Sequence, residues 1–104
     1  MTTATIPQHM VALAEANRVR FARAQLCRDL NAGRKKFIPL ILDPPEYAEN
    51  MKVMQLLKAR RRVARLTALR IMRTMNMHEH RTLGSLTERQ RRQLAAYLRS
   101  KGWE

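Results

Sequence analysis

Apolar residues in this chain recur at three- and four-residue steps, interrupted at a few glycines and prolines. That period marks helices with one buried stripe. From about Pro7 to Ala32 the chain reads as one long helix, stopped by Gly33. Ala12, Val19, Ala22, Leu26 and Leu30 could line one face of it, and Arg18, Arg20, Arg23 and Arg28 fall largely around the rest. Lys35 to Leu42 is short and apolar, and Pro39 permits at most a single helical turn beginning near it, or an extended piece. Asp43-Pro44-Pro45-Glu46 is a turn or loop. A second helix is predicted from Met51 to Ala59, burying Val53, Leu56 and Leu57. A turn through Arg60 to Val63 leads to a third helix, from about Ala64 to Met75, whose apolar stripe is Ala64, Ala68, Ile71, Met72 and Met75. Met77 to Leu86 reads as irregular. The last helix starts at Thr87, because Thr87-Glu88-Arg89-Gln90 fits a capping box. In it Leu94, Tyr97 and Leu98 face inward, and Gly102 ends it. With no strand pattern and no internal repeat, the expected fold is all-α, and 104 residues suffice for one domain with a modest core.

Charge changes this picture from a plain helical domain to one with a polyanionic partner. The chain has 21 Lys and Arg against 8 Asp and Glu, a net charge of +13. Self-repulsion on that scale disfavours a compact state unless a negative partner offsets it. The distribution is uneven: residues 51–83 hold nine cations and one acid, whereas residues 34–50 hold three of each. The stretch Lys58 to Arg70 carries six cations within a helical apolar period, which suggests a folded element presenting a cationic surface. Nucleic acid is the first candidate partner and an anionic membrane the second. Aromatic residues make up only 5% of the chain, which argues against a stacking platform for single strands. No apolar run is long enough to span a bilayer. Met1 to Met10 lack the charged start and apolar core of a signal peptide, and Cys27 is the only cysteine, so a reducing, cytosolic setting is expected.

The order of the segments resembles the actinobacterial integration host factor family. The resemblance rests on Ala22-Arg23-Ala24-Gln25-Leu26 with Leu30 and Gly33, on Met51-Lys52-Val53, and on Leu56-Leu57. It continues through Val63, Ala68, Ile71-Met72, Arg81, Leu83 and Leu86 to Arg89-Gln90-Arg91 with Leu94. What it implies is a long N-terminal helix packed on a helix–two-turns–helix unit with a C-terminal helix, the last two within residues 51–100. It also implies binding of double-stranded DNA without marked sequence preference, through phosphate and minor-groove contacts, with bending or compaction. A nucleoid-associated place in a bacterial cytoplasm follows from the same resemblance. The family's Pro-Lys-Val-Gly-Lys turn falls on Arg61-Arg62-Val63-Ala64-Arg65, so Arg62 and Arg65 keep its charges while proline and glycine are replaced. Its Arg-Arg-Leu-Arg-Gly-Leu-Gly becomes Arg81-Thr82-Leu83-Gly84-Ser85-Leu86-Thr87, which keeps only the first arginine. These departures suggest a divergent member, such as one carried by a phage.

The candidate phosphate contacts are Arg60, Arg61, Arg62 and Arg65, since a planar guanidinium grips two phosphate oxygens. Ala64, in the glycine position, sits where backbone amides would approach a phosphate. Lys52 and Lys58 are expected to extend that surface. Arg81 is a candidate for a narrow minor groove, or else a loop arginine pairing with Glu79. Arg89 and Arg92 share a face at the start of the last helix, where cations oppose the helix dipole unless an anion lies opposite. His9, His78 and His80 have no metal-site spacing, and no nucleophile–base pair or Gly-rich loop is present, so neither an enzyme nor a cofactor is expected. The expected partner is duplex DNA, bound by a chain that is monomeric when free, with no membrane and no small-molecule substrate. Two rival readings are an RNA- or ribosome-associated protein and a basic, phage-encoded protein that masks an acidic protein partner.

Overall fold

The structure is a computed structural model that describes residues 8–104. Helix α1 (Gln8–Ala32) is followed by α2 (Phe37–Leu42), α3 (Val53–Ala59), α4 (Arg65–Thr74) and α5 (Glu88–Ser100), with short 3-10 turns at Glu46–Ala48 and Leu83–Ser85. The expected start of the first helix at Pro7 lies outside the described residues. The all-α class is as the apolar period implies, and among the described residues the one β-type pairing is an isolated bridge between Lys52 and Thr82.

The first helix ends where the backbone of Gly33 turns left-handed, at φ +79°, a conformation glycine adopts without a Cβ clash. Arg34 then donates its backbone N–H to the Asp29 carbonyl at 2.8 Å, and its Nε to the Asp29 carboxylate at 2.9 Å. The Arg34 hydrogen bond, followed by one from Gln25, holds the Asp29 carboxyl below the usual carboxylate range. Only the second half of α1 is packed. Leu26 and Leu30 are buried, Val19 and Ala22 are half-buried, and Ala12 is exposed, so the apolar stripe expected from residue 12 onward reaches the core only at its end. Arg23 anchors the middle of the helix by donating from Nε to the Tyr47 carbonyl at 2.8 Å.

Helix α2, six residues long, runs beyond the single turn or extended piece expected here, because the proline falls in its first turn, where a missing N–H breaks no helical hydrogen bond. Its Phe37, Ile38, Leu40 and Ile41 are buried and pack on α5, while Leu42 is 42% exposed. Helix α3 starts two residues later than the apolar pattern predicts. Lys52 is held extended instead, in the bridge to Thr82: Leu83 donates to the Met51 carbonyl and Val53 to the Arg81 carbonyl, both at 2.9 Å. Ala64 is not part of the α4 stripe; it is the exposed residue preceding that helix, in extended conformation, and Ala68, Ile71 and Met72 supply the buried face. Helix α5 opens with the predicted capping box, Thr87 Oγ1 accepting from Gln90 N–H and Gln90 Oε1 accepting from Thr87 N–H. Leu94, Ala95 and Leu98 face the core. Helix α3 packs on α4 and on α1, and the buried residues of all five helices form one cluster. No charged side chain of the described residues is buried in it.

Candidate nucleic-acid interface

The turn between α3 and α4 is where cationic side chains concentrate, and its backbone explains their display. Val63 donates to the Arg60 carbonyl at 3.1 Å, closing a four-residue turn, and Arg62 takes a left-handed conformation at φ +68°. That conformation is disfavoured for a residue with a Cβ. Arg61 and Arg62 are exposed, and among the described residues neither has a hydrogen-bonded or ion-paired side-chain partner. The turn delivers the chain to the start of α4, where Ala64 offers no side-chain acceptor to the first amides. The contrast with the full capping box of α5 is direct: the α4 N-terminus keeps its donors available, with Arg65 in its first turn and Leu66 71% exposed beside it.

Two concavities flank this turn and divide the candidate residues between them. One, of about 190 Å³, is lined by Lys52, Lys58 and Arg65 together with Met54, Gln55, Glu79 and His80. Lys52 Nζ lies 3.3 Å from His80 Nδ1, and Glu79 sits 3.8 Å from Arg65 and 3.5 Å from His80. The other, of about 450 Å³, is lined by Arg60, Arg61, Arg62, Val63, Thr67, Arg70, Ile71, Tyr97, Lys101 and Trp103. Arg60 is the hinge of this arrangement. Its guanidinium lies 4.4 Å from the centroid of the Trp103 ring, so it is held in place rather than free in solvent.

The remaining candidates stand apart. Arg81 does not pair with Glu79. Its Nε donates to Ser85 Oγ at 3.1 Å, and its terminal nitrogen donates to the Ser85 carbonyl at 2.7 Å and to Gln90 Oε1 at 3.0 Å. Half-buried, it ties the 81–86 loop to the capping box of α5. Arg91 has a similar part, donating to the carbonyls of Leu86 and Gly84 at 3.3 and 3.4 Å. Arg92 pairs with Glu88 one turn back, and both are exposed, so that pair is weak and easily exchanged. Arg89 is exposed on the same helix and has no ion-pair partner among the described residues. Three of the four α1 arginines are engaged within the chain, Arg18 with Glu15, Arg23 with Tyr47 and Arg28 with Gln25.

Seven residues of the larger groove are not among the site residues that the sequence predicts, and the charged and aromatic ones are Arg70, Tyr97, Lys101 and Trp103. Arg70 belongs to the basic stretch, is exposed, and lines the larger concavity. Trp103 follows Gly102, which is left-handed at φ +87°, and its N–H donates to the Leu98 carbonyl at 3.0 Å. A hydrophobic residue at that place after a helix-ending glycine folds back on the last turn, and this pattern is the signal that would have found it. Among the described residues no three His, Cys, Asp or Glu side chains cluster to hold a metal, and no helix is long and apolar enough to cross a membrane.

A long helix packed against a helix–turn–helix pair, with a cationic turn between the pair, defines an all-α fold of the helix–two-turns–helix class. No family model matches the chain, and no curated protein matches it. The same fold is found in the solved structure of sIHF bound to an 8-bp palindromic DNA, with a TM-score of 0.71 and 24% identity over 84% of this chain and 97% of that one. At that identity the likeness establishes the fold.

Proposed function

We propose that this protein is an architectural, double-stranded DNA-binding protein that grips phosphates through the α3–α4 turn, with little sequence preference. The observation that carries the reading is the uncapped N-terminus of α4 beside exposed Arg61, Arg62 and Arg65. Three cations beside the positive end of a helix dipole repel one another and the helix, and a phosphate relieves both. The shared fold with a DNA-bound structure supports the same partner. Arg60, Lys52, Lys58 and Ala64 belong to this surface, Arg60 braced by Trp103 and the two lysines in the adjoining concavity. Arg89 and Arg92 form a second point of attachment at the start of α5. Two separated attachment points are what bending a duplex requires. Arg81 enters this reading as a positioning residue for the α5 start, its donors being occupied within the chain. Catalysis has no place in it, and the setting is the bacterial nucleoid, with the free protein monomeric.

Fluorescence anisotropy with a duplex of about 20 bp across a salt series tests it. Affinity should fall steeply with salt, and Arg61→Ala/Arg62→Ala/Arg65→Ala should reduce the slope by roughly one unit per arginine lost. Absence of binding at low salt would overturn the reading and favour an acidic protein partner. Preference for A-form RNA over the duplex would move it to a ribosome-associated role. Energy transfer between the duplex ends tests the bend.

A further inference from the structure

The larger concavity has a composition that phosphate binding alone does not explain. Its lining falls into two chemical sets: Val63, Ile71, Tyr97 and Trp103 with Thr67, called the floor here, and five cations, Arg60, Arg61, Arg62, Arg70 and Lys101, called the rim. No acid among the described residues lines it, whereas Glu79 lines the neighbouring concavity beside Lys52 and Arg65. A duplex backbone presents only sugar and phosphate to a protein surface, and would use the rim while leaving the floor empty. An occupant that satisfies both is a flat, apolar-faced group flanked by negative charges on either side.

We infer that this groove accepts one unpaired nucleotide of a bound DNA, its base seated against Tyr97 and its flanking phosphates held by the rim. This rests on the DNA-binding reading above and sharpens it, from any duplex to duplexes with a base already outside the stack. The volume, about 450 Å³, lies within the range of sites that take a small molecule or a single such group. The low aromatic content excludes a platform that stacks many bases in a row, but one site needs only one ring. Tyr97 is half-buried and lines the groove. The cation over it is Lys101, 5.6 Å from the ring centroid, an exposed and flexible side chain that can leave the ring for a phosphate. Arg60 supplies a second planar surface, backed by the Trp103 indole at 4.4 Å, and a guanidinium so supported stacks on a base as well as pairing with its phosphate. An intact duplex would have to be unstacked to use the site, and a bulged or gapped one would not.

The test compares an intact duplex of about 20 bp with the same duplex carrying one extrahelical adenosine, by anisotropy at one salt concentration. Wild type should bind the bulged DNA about tenfold tighter, a factor within the range of one base–aromatic stack. Trp103, the sole tryptophan, should change its emission more with the bulged DNA than with the intact one. Tyr97→Leu keeps the apolar bulk and should abolish the preference while leaving affinity for the intact duplex unchanged; far-UV circular dichroism verifies that it folds. Equal affinity for the two DNAs would overturn the inference and leave the architectural reading standing. Failure to bind either would remove both. A Glu- and Leu-rich peptide that binds wild type but not Tyr97→Leu, with no preference for the bulge, would overturn the nucleotide assignment in favour of an acidic protein segment.

Discussion

The guanidinium of Arg60 lies over the indole of Trp103, 4.4 Å from the ring centroid, and joins the exit of α3 to the end of the chain. The indole is in turn set edge-on against Phe37, with ring centroids 4.9 Å apart and planes at 71°. Ile38 donates its N–H to the Glu104 carbonyl at 3.1 Å, so the segment after α5 is fixed on both sides. The cationic turn therefore starts from a residue whose backbone is held by the turn's own hydrogen bond from Val63 and whose side chain is held by Trp103. A surface meant to meet phosphates gains from this, since an arginine held in place loses less freedom on binding.

Trp103 is 5% exposed and bridges α2, the turn and α5. Trp103→Ala should therefore cost about 3–5 kcal/mol of stability, by loss of the buried ring and the cavity it leaves. Urea unfolding followed by far-UV circular dichroism measures this. Trp103→Phe should recover most of the loss. A cost below about 1 kcal/mol for the alanine variant would mean that the end of the chain does not hold the turn.

Arg62 separates stability from function. Its left-handed backbone is a cost of roughly 1–2 kcal/mol for a residue with a Cβ, and glycine removes that cost while adding freedom to the unfolded chain. Arg62→Gly should leave stability unchanged or raise it by about 0.5 kcal/mol. Under the proposed function the same substitution should lower the salt slope of DNA binding by about one unit. A variant that is at least as stable yet binds less well is the expected mark of strain kept at a binding turn. Loss of stability with unchanged binding would reverse that assignment.

Much of this arrangement is legible in the amino-acid order, and the reasons for the rest are local. The apolar period gives four of the five helices and leaves α2 open between a turn and an extended piece, and Thr87 with Gln90 marks the start of α5 to the residue. Helix α3 loses its first two predicted residues because Met51 and Lys52 pair with a segment thirty positions away, a competition that no local pattern contains. Ala12 and Ala64 fit the helical period but lie beyond the packing partners, so periodicity alone overstates the stripe. Of the candidate site, the concentration of cations around Arg60–Arg65 is readable from charge. Their division between two concavities is not, because it depends on where α5 and Trp103 return in space.

Gly84 shows how a departure from a family pattern acquires a physical reason. The integration host factor pattern that the sequence resembles has arginine at this place. Here the Gly84 N–H donates to the Glu49 carbonyl at 2.7 Å, and a Cβ built on residue 84 would lie 2.8 Å from the Glu49 Cβ and 3.0 Å from its carbonyl oxygen. The close approach involves backbone, which cannot swing away as a flexible side chain would. Gly84→Ala should therefore destabilise by about 1–3 kcal/mol, through strain in the contact between the 81–86 loop and the segment before α3. Thermal unfolding of the variant checks this. An alanine variant as stable as wild type would show that the loop has room for the missing arginine.

Arg81 stands where charge suggests DNA and geometry suggests structure, and one substitution distinguishes the two. Its three hydrogen bonds go to Ser85 Oγ, the Ser85 carbonyl and Gln90 Oε1, and Gln90 also accepts from the Thr87 N–H. A guanidinium so engaged fixes the loop and the first turn of α5 together, and has to abandon several bonds before reaching a groove. Arg81→Ala should lower stability by about 1.5–3 kcal/mol, the range for hydrogen bonds to a charged group, and should leave the salt slope of DNA binding nearly unchanged. Affinity should drop modestly, because Arg89 and Arg92 lose their fixed platform rather than because a phosphate contact is lost. Arg81→Lys should not rescue stability, since an ammonium cannot span Ser85 and Gln90 as a planar fork does. The opposite result, full stability with a salt slope one unit lower, would place the Arg81 side chain on DNA and show that its bonds within the chain open when the duplex arrives.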